Sequence, residues 1–321
     1  MTLHQRDFNK QTGYKKALYR GAMLCTGIML ANVLLAQEET EVDIFELSGT
    51  IEVGAEHNSN LSVTELERSA DESGTAAVLD AEFILGWQPN ARLAGEAGYS
   101  FSTIRYGDLD AYNLDMHLLY GDLSYDFDLL TVGGSYHHAN ADLGGDSFLT
   151  LNQYSLYLGR FISDQWYLRG ALNQTDKSFA TFTDRDADTD GFSIDSFWFF
   201  NQGRSNLSLG YTYEEEDTRA PEFIYSAGTL RLRYTQDFMI LAKASSFEAG
   251  LRWQNRDYDN PYPEIGRPRV DERRILETAL TVNVQENVAL IGAWEHGDYE
   301  SNLPSADYND NRFSLSARWS F

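Results

Sequence analysis

Cysteine, long apolar runs and positive charge are all scarce in this chain, and each shortage closes off a class of protein. One cysteine in 321 residues, Cys25, allows no disulfide framework and no cysteine-based metal site. Zinc-ligand spacings and glycine-rich phosphate loops do not occur either, and the sequence calls for no cofactor. A spanning helix needs about 20 consecutive apolar residues, and only Gly21 to Ala36, GAMLCTGIMLANVLLA, comes near that length. The mean hydropathy of -0.42 likewise excludes a bundle of such helices. Lysine and arginine number 25 against 49 acidic residues. A surface so acidic repels nucleic acid at long range.

The one apolar stretch follows Lys10, Lys15, Lys16 and Arg20 and runs straight into QEETEVD. A basic segment, an apolar core and a small residue before a polar break read as a secretory signal peptide over residues 1–36, cut near Ala36/Gln37. An N-terminal membrane anchor is the rival reading. Cleavage would remove Cys25 and leave 20 basic against 48 acidic residues, a formal charge of -28. Residues 37–45 then form a short periplasmic leader before a domain over residues 46–321.

Beyond residue 45 no helical periodicity is sustained, whereas period-two alternation returns repeatedly. Ile51, Val53 and Ala55 alternate with Glu52, Gly54 and Glu56. Ala77, Leu79, Ala81, Phe83, Leu85 and Trp87 share one face of the next segment. Leu207, Leu209, Tyr211 and Tyr213, and later Leu230, Leu232 and Tyr234, repeat the pattern. Short connections are expected at WQPNAR, DFD, ISDQ, NQGRSN, TQD and QEN. Long polar ones are expected near NSNLSVTELERSADESG, RYGDLDAYN, NADLGGDS, DKSFATFTDRDADTDG, EEEDTRAPE, NRDYDNPYPEIGRPR and YESNLPSADYNDN.

Tight turns at one end and extended loops at the other, with about 14 strands between them, predict an all-β antiparallel transmembrane barrel. A soluble sandwich or propeller would also alternate, but it would bury the apolar face of every strand in one core. Here 19 Tyr, 18 Phe and 6 Trp flank the apolar faces, as in the aromatic girdles at the two membrane interfaces. The expected surroundings are outer-membrane lipid and lipopolysaccharide, with divalent cations at the acidic outer loops.

The chain ends RFSLSARWSF, with Phe313, Leu315, Ala317, Trp319 and Phe321 on one face. This segment resembles the C-terminal signature of Gram-negative outer-membrane proteins. The resemblance implies an outer-membrane location and recognition by the barrel-assembly machinery. Residues 201–321 also resemble the barrels of surface lipoprotein assembly modifiers and related tetratricopeptide-associated barrels. GYTYEEEDTRAPEFIYSAGTLRLRY, LRWQNRDYDNPYPEIGRPRVDERR and HGDYESNLPSADYNDNRFSLSARWSF carry that likeness. It implies translocation or assembly of a surface lipoprotein or other polypeptide.

If Leu230, Leu232, Phe313 and Leu315 face lipid, parity turns Arg231, Arg233, Arg312 and Arg318 inward, and Arg252 and Arg256 with them. Earlier strands are expected to send Glu52, Glu56, Asp80, Glu82, Glu96, Asp115 and Asp195 to the same side. The interior is then acidic in the first half of the wall and arginine-rich in the last third. Such a lining suits a porin-like channel for small polar or charged solutes. A barrel whose facing charges fill the interior is the structural alternative.

Asp186, Asp188, Asp190 and Gly191 match the first half of a calcium loop, although Phe197 stands where the closing Glu belongs. The histidines His57, His117, His137, His138 and His296 show no spacing specific to nucleophilic catalysis. His137 and His138 read as a solvated pair at the rim, and no enzyme is expected.

Overall fold

The structure, a computed structural model, describes residues 44–66 and 68–321. The expected signal peptide and most of the leader after it lie outside the described residues. Strand side chains alternate between two faces, and the alternating stretches of the sequence form β1 (Phe45–Asn58), β2 (Ser62–Val63), β3 (Arg68–Ser69), β4 (Gly74–Trp87), β5 (Leu93–Tyr106), β6 (Leu114–Asp126), β7 (Thr131–Leu143) and β8 (Asp146–Ser163). They continue as β9 (Trp166–Phe179), β10 (Ala187–Phe200), β11 (Ser205–Thr218), β12 (Tyr225–Ile240), β13 (Lys243–Tyr262), β14 (Arg267–Gln285), β15 (Val288–Ser301) and β16 (Tyr308–Ser320).

The short β2 and β3 pair with each other inside the first outer loop. The remaining strands form one closed, antiparallel, 14-strand barrel in sequence order. Closure falls between β1 and β16, where Glu52 stands opposite Arg318 and Val53 opposite Ala317. Gly49 and Phe321 exchange two backbone hydrogen bonds of 3.0 Å across this seam, so the final residue is tied into the sheet.

Polarity is inside-out. Val53, Leu119, Leu156, Leu172, Leu232, Leu251 and Leu315 are exposed on the outer face, while Ser100, Ser135, Ser193, Thr212, Thr229 and Ser316 are buried on the inner one. Exposed aromatics ring the barrel at two levels. Tyr125, Trp166, Trp198, Phe238 and Trp319 lie toward the tight-turn end, and Tyr136, Tyr154, Phe192, Tyr211, Trp253 and Phe313 lie toward the other. A closed barrel satisfies its backbone without water, and an apolar belt between aromatic girdles requires lipid.

Two expectations about the connections need correction. Most outer connections are shorter than the stretches assigned to them, because part of that polar sequence is strand: β8, β13 and β14 run to 18, 20 and 19 residues, while the first outer loop, residues 59–73, stays long. NADLGGDS is a tight turn at Gly144–Gly145, whose φ angles of 63° and 90° suit glycine. Above the membrane the outer sheet face meets water instead of lipid, so polar residues on that face build strand as readily as loop. At the opposite end, the turn expected at TQD sits instead at Leu241–Ala242, with φ of 48° and 63°. Thr235 to Asp237 stay in β12, paired with Glu248 to Ser246 of β13.

Candidate functional site: a charged interior beneath an inward-folded loop

The register places Glu52, Glu56, Asp80, Glu82, Glu96, Asp195, Arg231, Arg233, Arg252, Arg256, Arg312 and Arg318 on the inner face, in line with Ser100, Ser193, Thr212 and Ser316. Asp115 is not among them. It pairs with Thr103 on the face that also carries Leu119 and Leu123, and its carboxylate meets the Arg105 guanidinium at 2.5 Å. The adjacent Leu114 and Met116 point inward because this end of β6 rises beyond the lipid.

Hydroxyl donors hold the carboxylates of the first strands. Ser102 donates to Asp80 at 2.7 Å, Tyr120 to Glu82 at 3.2 Å and Tyr157 to Asp122 at 2.8 Å. Glu96 and Asp122 face each other in register, an arrangement of like charges that a sheet disfavours. Tyr120 and Tyr157 lie flat along the wall over Gly98 and Gly133, where a Cβ would overlap the rings. Glycine at these two positions keeps the phenol rings out of the centre.

Across the barrel the lining turns basic. Arg169 stacks over Tyr157 at 4.1 Å and stands opposite Asp195. Arg231 lies 3.7 Å from Asp195 and donates to Thr212 at 2.9 Å. Arg252 is Arg231's direct partner on β13, and Arg233 reaches Glu277 at 2.6 Å. Counting round the ring, β5 and β12 lie on opposite walls, so the acidic and arginine-rich arcs face one another. At the seam Arg318 donates to Glu52 at 3.2 Å, and Ser316 also donates to that carboxylate. Arg312 sits between Glu56, 3.5 Å away, and Glu295, 3.7 Å away.

The interior changes character toward the outer end. Arg256 lies 4.0 Å over the Tyr225 ring, and Arg269 pairs with Asp271 at 2.7 Å. Apolar side chains also turn inward here: Ala76 and Tyr106 pack with Leu61, and Phe148, Leu149 and Phe179 pack with Val63 and Leu66. Leu61, Val63 and Leu66 belong to the first outer loop, residues 59–73. That loop starts from β1, and the Arg185 that donates to its Glu65 and Leu66 carbonyls, at 3.1 and 3.4 Å, lies between β9 and β10. These strands are half-way round the ring from β1. The loop therefore crosses the outer mouth.

Sequence reasoning missed Asp122, Arg169, Arg273, Glu277 and Glu295, all inward by register. The same parity rule finds them once strand edges are known. His137 and His138 do not form a rim pair: His137 is buried inside against Tyr120, with ring centroids 5.9 Å apart, whereas His138 faces outward with its Nδ1 2.8 Å from Asn152. Asp188 and Asp190 lie in extended β10 rather than in a curling loop, and Asp186 accepts from the Phe179 amide and pairs with Arg219. Among the described residues no group of three or more His, Cys, Asp or Glu side chains could hold a metal ion. The calcium-loop expectation therefore lacks its loop.

The exposed outer faces of Phe313, Leu315, Ala317 and Trp319 continue the apolar belt across the seam. Phe321 extends it, its ring centroid 4.7 Å from that of Trp319 and 6.1 Å from that of Phe83.

Solved structures share this architecture. The in-vitro folded trimer form of OmpT, an outer-membrane protein of Vibrio cholerae, matches with a TM-score of 0.53 at 10% identity, over 87% of this chain and all of that one. A loop L8 deletion mutant of the same protein gives 0.52 at 9% identity with the same coverage. CdiB from Acinetobacter baumannii gives 0.50 at 13% identity, over 85% of this chain and 60% of that one. At such identities the likeness is one of fold, and the fold is that of Gram-negative outer-membrane β-barrels. No family model and no curated protein sequence matches the chain. The likeness of residues 201–321 to the lipoprotein assembly modifiers thus rests on the quoted segments alone.

Proposed function

We propose that the barrel is a channel for small polar or charged solutes. The observation that carries this reading is the facing of two oppositely charged arcs inside a 14-strand wall, with Asp80, Glu82, Glu96 and Asp122 on one side and Arg231, Arg233 and Arg252 on the other. A barrel of this strand number is wider than the eight-strand barrels that side chains fill. Charge on a water-lined wall selects among ions, whereas for packing alone an apolar filling would serve as well. Proton transfer and bond chemistry have no part in this reading.

Planar-bilayer recordings of the purified protein test it. The wild type is expected to give discrete current steps, and Arg252→Glu to shift the reversal potential toward cation preference. Steps whose selectivity ignores both Arg252→Glu and Glu96→Gln would sink the role of the arcs. A second reading, a structural barrel without conduction, draws support from the loop across the mouth. Silence of the wild type and of a variant lacking residues 60–72 would favour it.

A further inference from the structure

The loop that crosses the outer mouth is fastened differently at its two ends. Its base is joined to β16 through the main chain: the Ser59 amide donates to the Asn311 carbonyl at 2.9 Å, and the Asn311 amide donates to Ser59 Oγ at 2.7 Å. Asn60 Nδ2 adds a bond to the Asn309 carbonyl at 3.2 Å. The loop is also bonded within itself. The β2–β3 ladder, the Leu61 amide on the Glu72 carbonyl at 2.6 Å, the Ala70 amide on the Leu61 carbonyl at 2.8 Å and Ser69 Oγ on Asn60 at 2.6 Å make it one unit.

At the tip, side chains make the attachment. Val63 and Leu66 rest on Phe148, Leu149 and Phe179. Arg185 donates to the Glu65 and Leu66 carbonyls, and its guanidinium is held 4.2 Å over the Phe223 ring. Among the described residues the loop thus has a tie to the β16 main chain at one edge and, at the other, an apolar seat with a cationic latch, the arrangement of a flap hinged at its base.

We propose that the first outer loop, described over residues 59–66 and 68–73, is a hinged lid. The base stays on β16 while the tip lifts from the Phe148–Leu149–Phe179 seat, and Arg185 is the latch that sets how often it does so. Closed is the resting position, because lifting the tip exposes the seat to water. The inference that lid position sets current rests on the channel reading. The movement itself does not.

Two measurements separate these, both in a Cys25→Ala background. In intact cells, Arg252→Cys reports access to the interior through its rate of labelling by a membrane-impermeant sulfonated maleimide added outside. Adding Arg185→Ala is expected to raise that rate roughly tenfold, the shift in open population that follows from losing about 1.4 kcal/mol of latch contact. Removing residues 60–72 should raise it further. Equal rates in all three, with each shown to be folded by heat-modifiable migration, would overturn the lid.

In planar bilayers, Leu66→Cys with Phe148→Cys, bridged by a short reducible bis-thiosulfonate, should lose its current steps and regain them on reduction. Steps that persist in the bridged protein would also overturn it. If no variant carries current but labelling still follows Arg185, the channel reading fails and the lid stands.

Discussion

Strand β8 obeys opposite rules along its length. In its lower half Leu156 and Leu158 are exposed outward while Ser155 and Tyr157 turn inward. In its upper half Thr150 and Asn152 face outward while Leu149 and Leu151 are buried inside. Strand β6 inverts in the same way, from Leu119 and Leu123 outside and Asp122 inside to Asp115 outside and Leu114 inside. Side-chain parity holds through both of these stretches, the bulge of β8 lying beyond them at Phe148, and only the solvents change. Below the upper girdle the outside is lipid and the inside is polar, whereas above it the outside is water and, along β4, β5, β8 and β9, the inside meets a loop's apolar side chains. Apolar side chains follow whichever partner excludes water.

The hardest way to break this comparison is to remove charge from the lower interior. Asp195, 3% exposed, lies between Arg169, its register partner, and Arg231. Asp195→Leu takes away the carboxylate that faces both guanidinium groups and is expected to cost about 3–5 kcal/mol. Urea titration of barrels refolded in lipid vesicles reads the loss directly. A cost under about 1 kcal/mol would mean that the lower interior tolerates apolar residues as the upper one does.

The outer face supplies the next test. Leu156→Arg puts a charge into the lipid belt and should destabilise by about 2–4 kcal/mol, while Asn152→Arg on the same face two turns of the pleat higher should cost about 0–1 kcal/mol. Trp319→Asp belongs with the first of these, since it places a carboxylate on the exposed lower face of the closing strand, and folded protein in the outer membrane should fall. Equal costs for Leu156→Arg and Asn152→Arg would place the upper girdle elsewhere.

The lower rule was legible from the amino acids alone because parity and lipid-facing leucines are local features. Arg231 beside Leu230 and Leu232 needs no knowledge of the other strands. The alternating turns also gave the strand number, although Leu241–Ala242 offers none of the usual turn residues. The upper rule was not legible. Its apolar partner is a loop whose Leu66 meets Phe148 and Phe179 more than eighty positions further on, and no periodicity records such a contact. Polar alternation above the lipid, as in EEEDT or NRDYDN, consequently read as loop when it is strand.

A third test trims the seat itself. Phe179 is 6% exposed and makes an edge-on contact with Phe148 at 5.6 Å. Phe179→Ala should cost about 1.5–3 kcal/mol, the value of burying one such side chain. It should also raise labelling of the interior cysteine, which a variant such as Leu156→Ala at the lipid face should not do. Increased labelling from both would point to a general loosening of the barrel instead of a local release of the loop.

Asp115 gives the smallest effect and the cleanest separation of the two halves. Taken as an interior carboxylate, it should tune selectivity as Glu96 would. The structure puts it outside and above the girdle, where it pairs with Arg105 at 2.5 Å, the arginine about half exposed. A pair so placed contributes at most about 1 kcal/mol and is screened by salt. Asp115→Asn should therefore change stability by less than that, lose even this difference in high salt, and leave the reversal potential where it was, while Glu96→Gln moves it. A selectivity shift from Asp115→Asn would mean that β6 keeps its lower rule to its outer end, and that Leu114 and Met116, not Asp115, face outward.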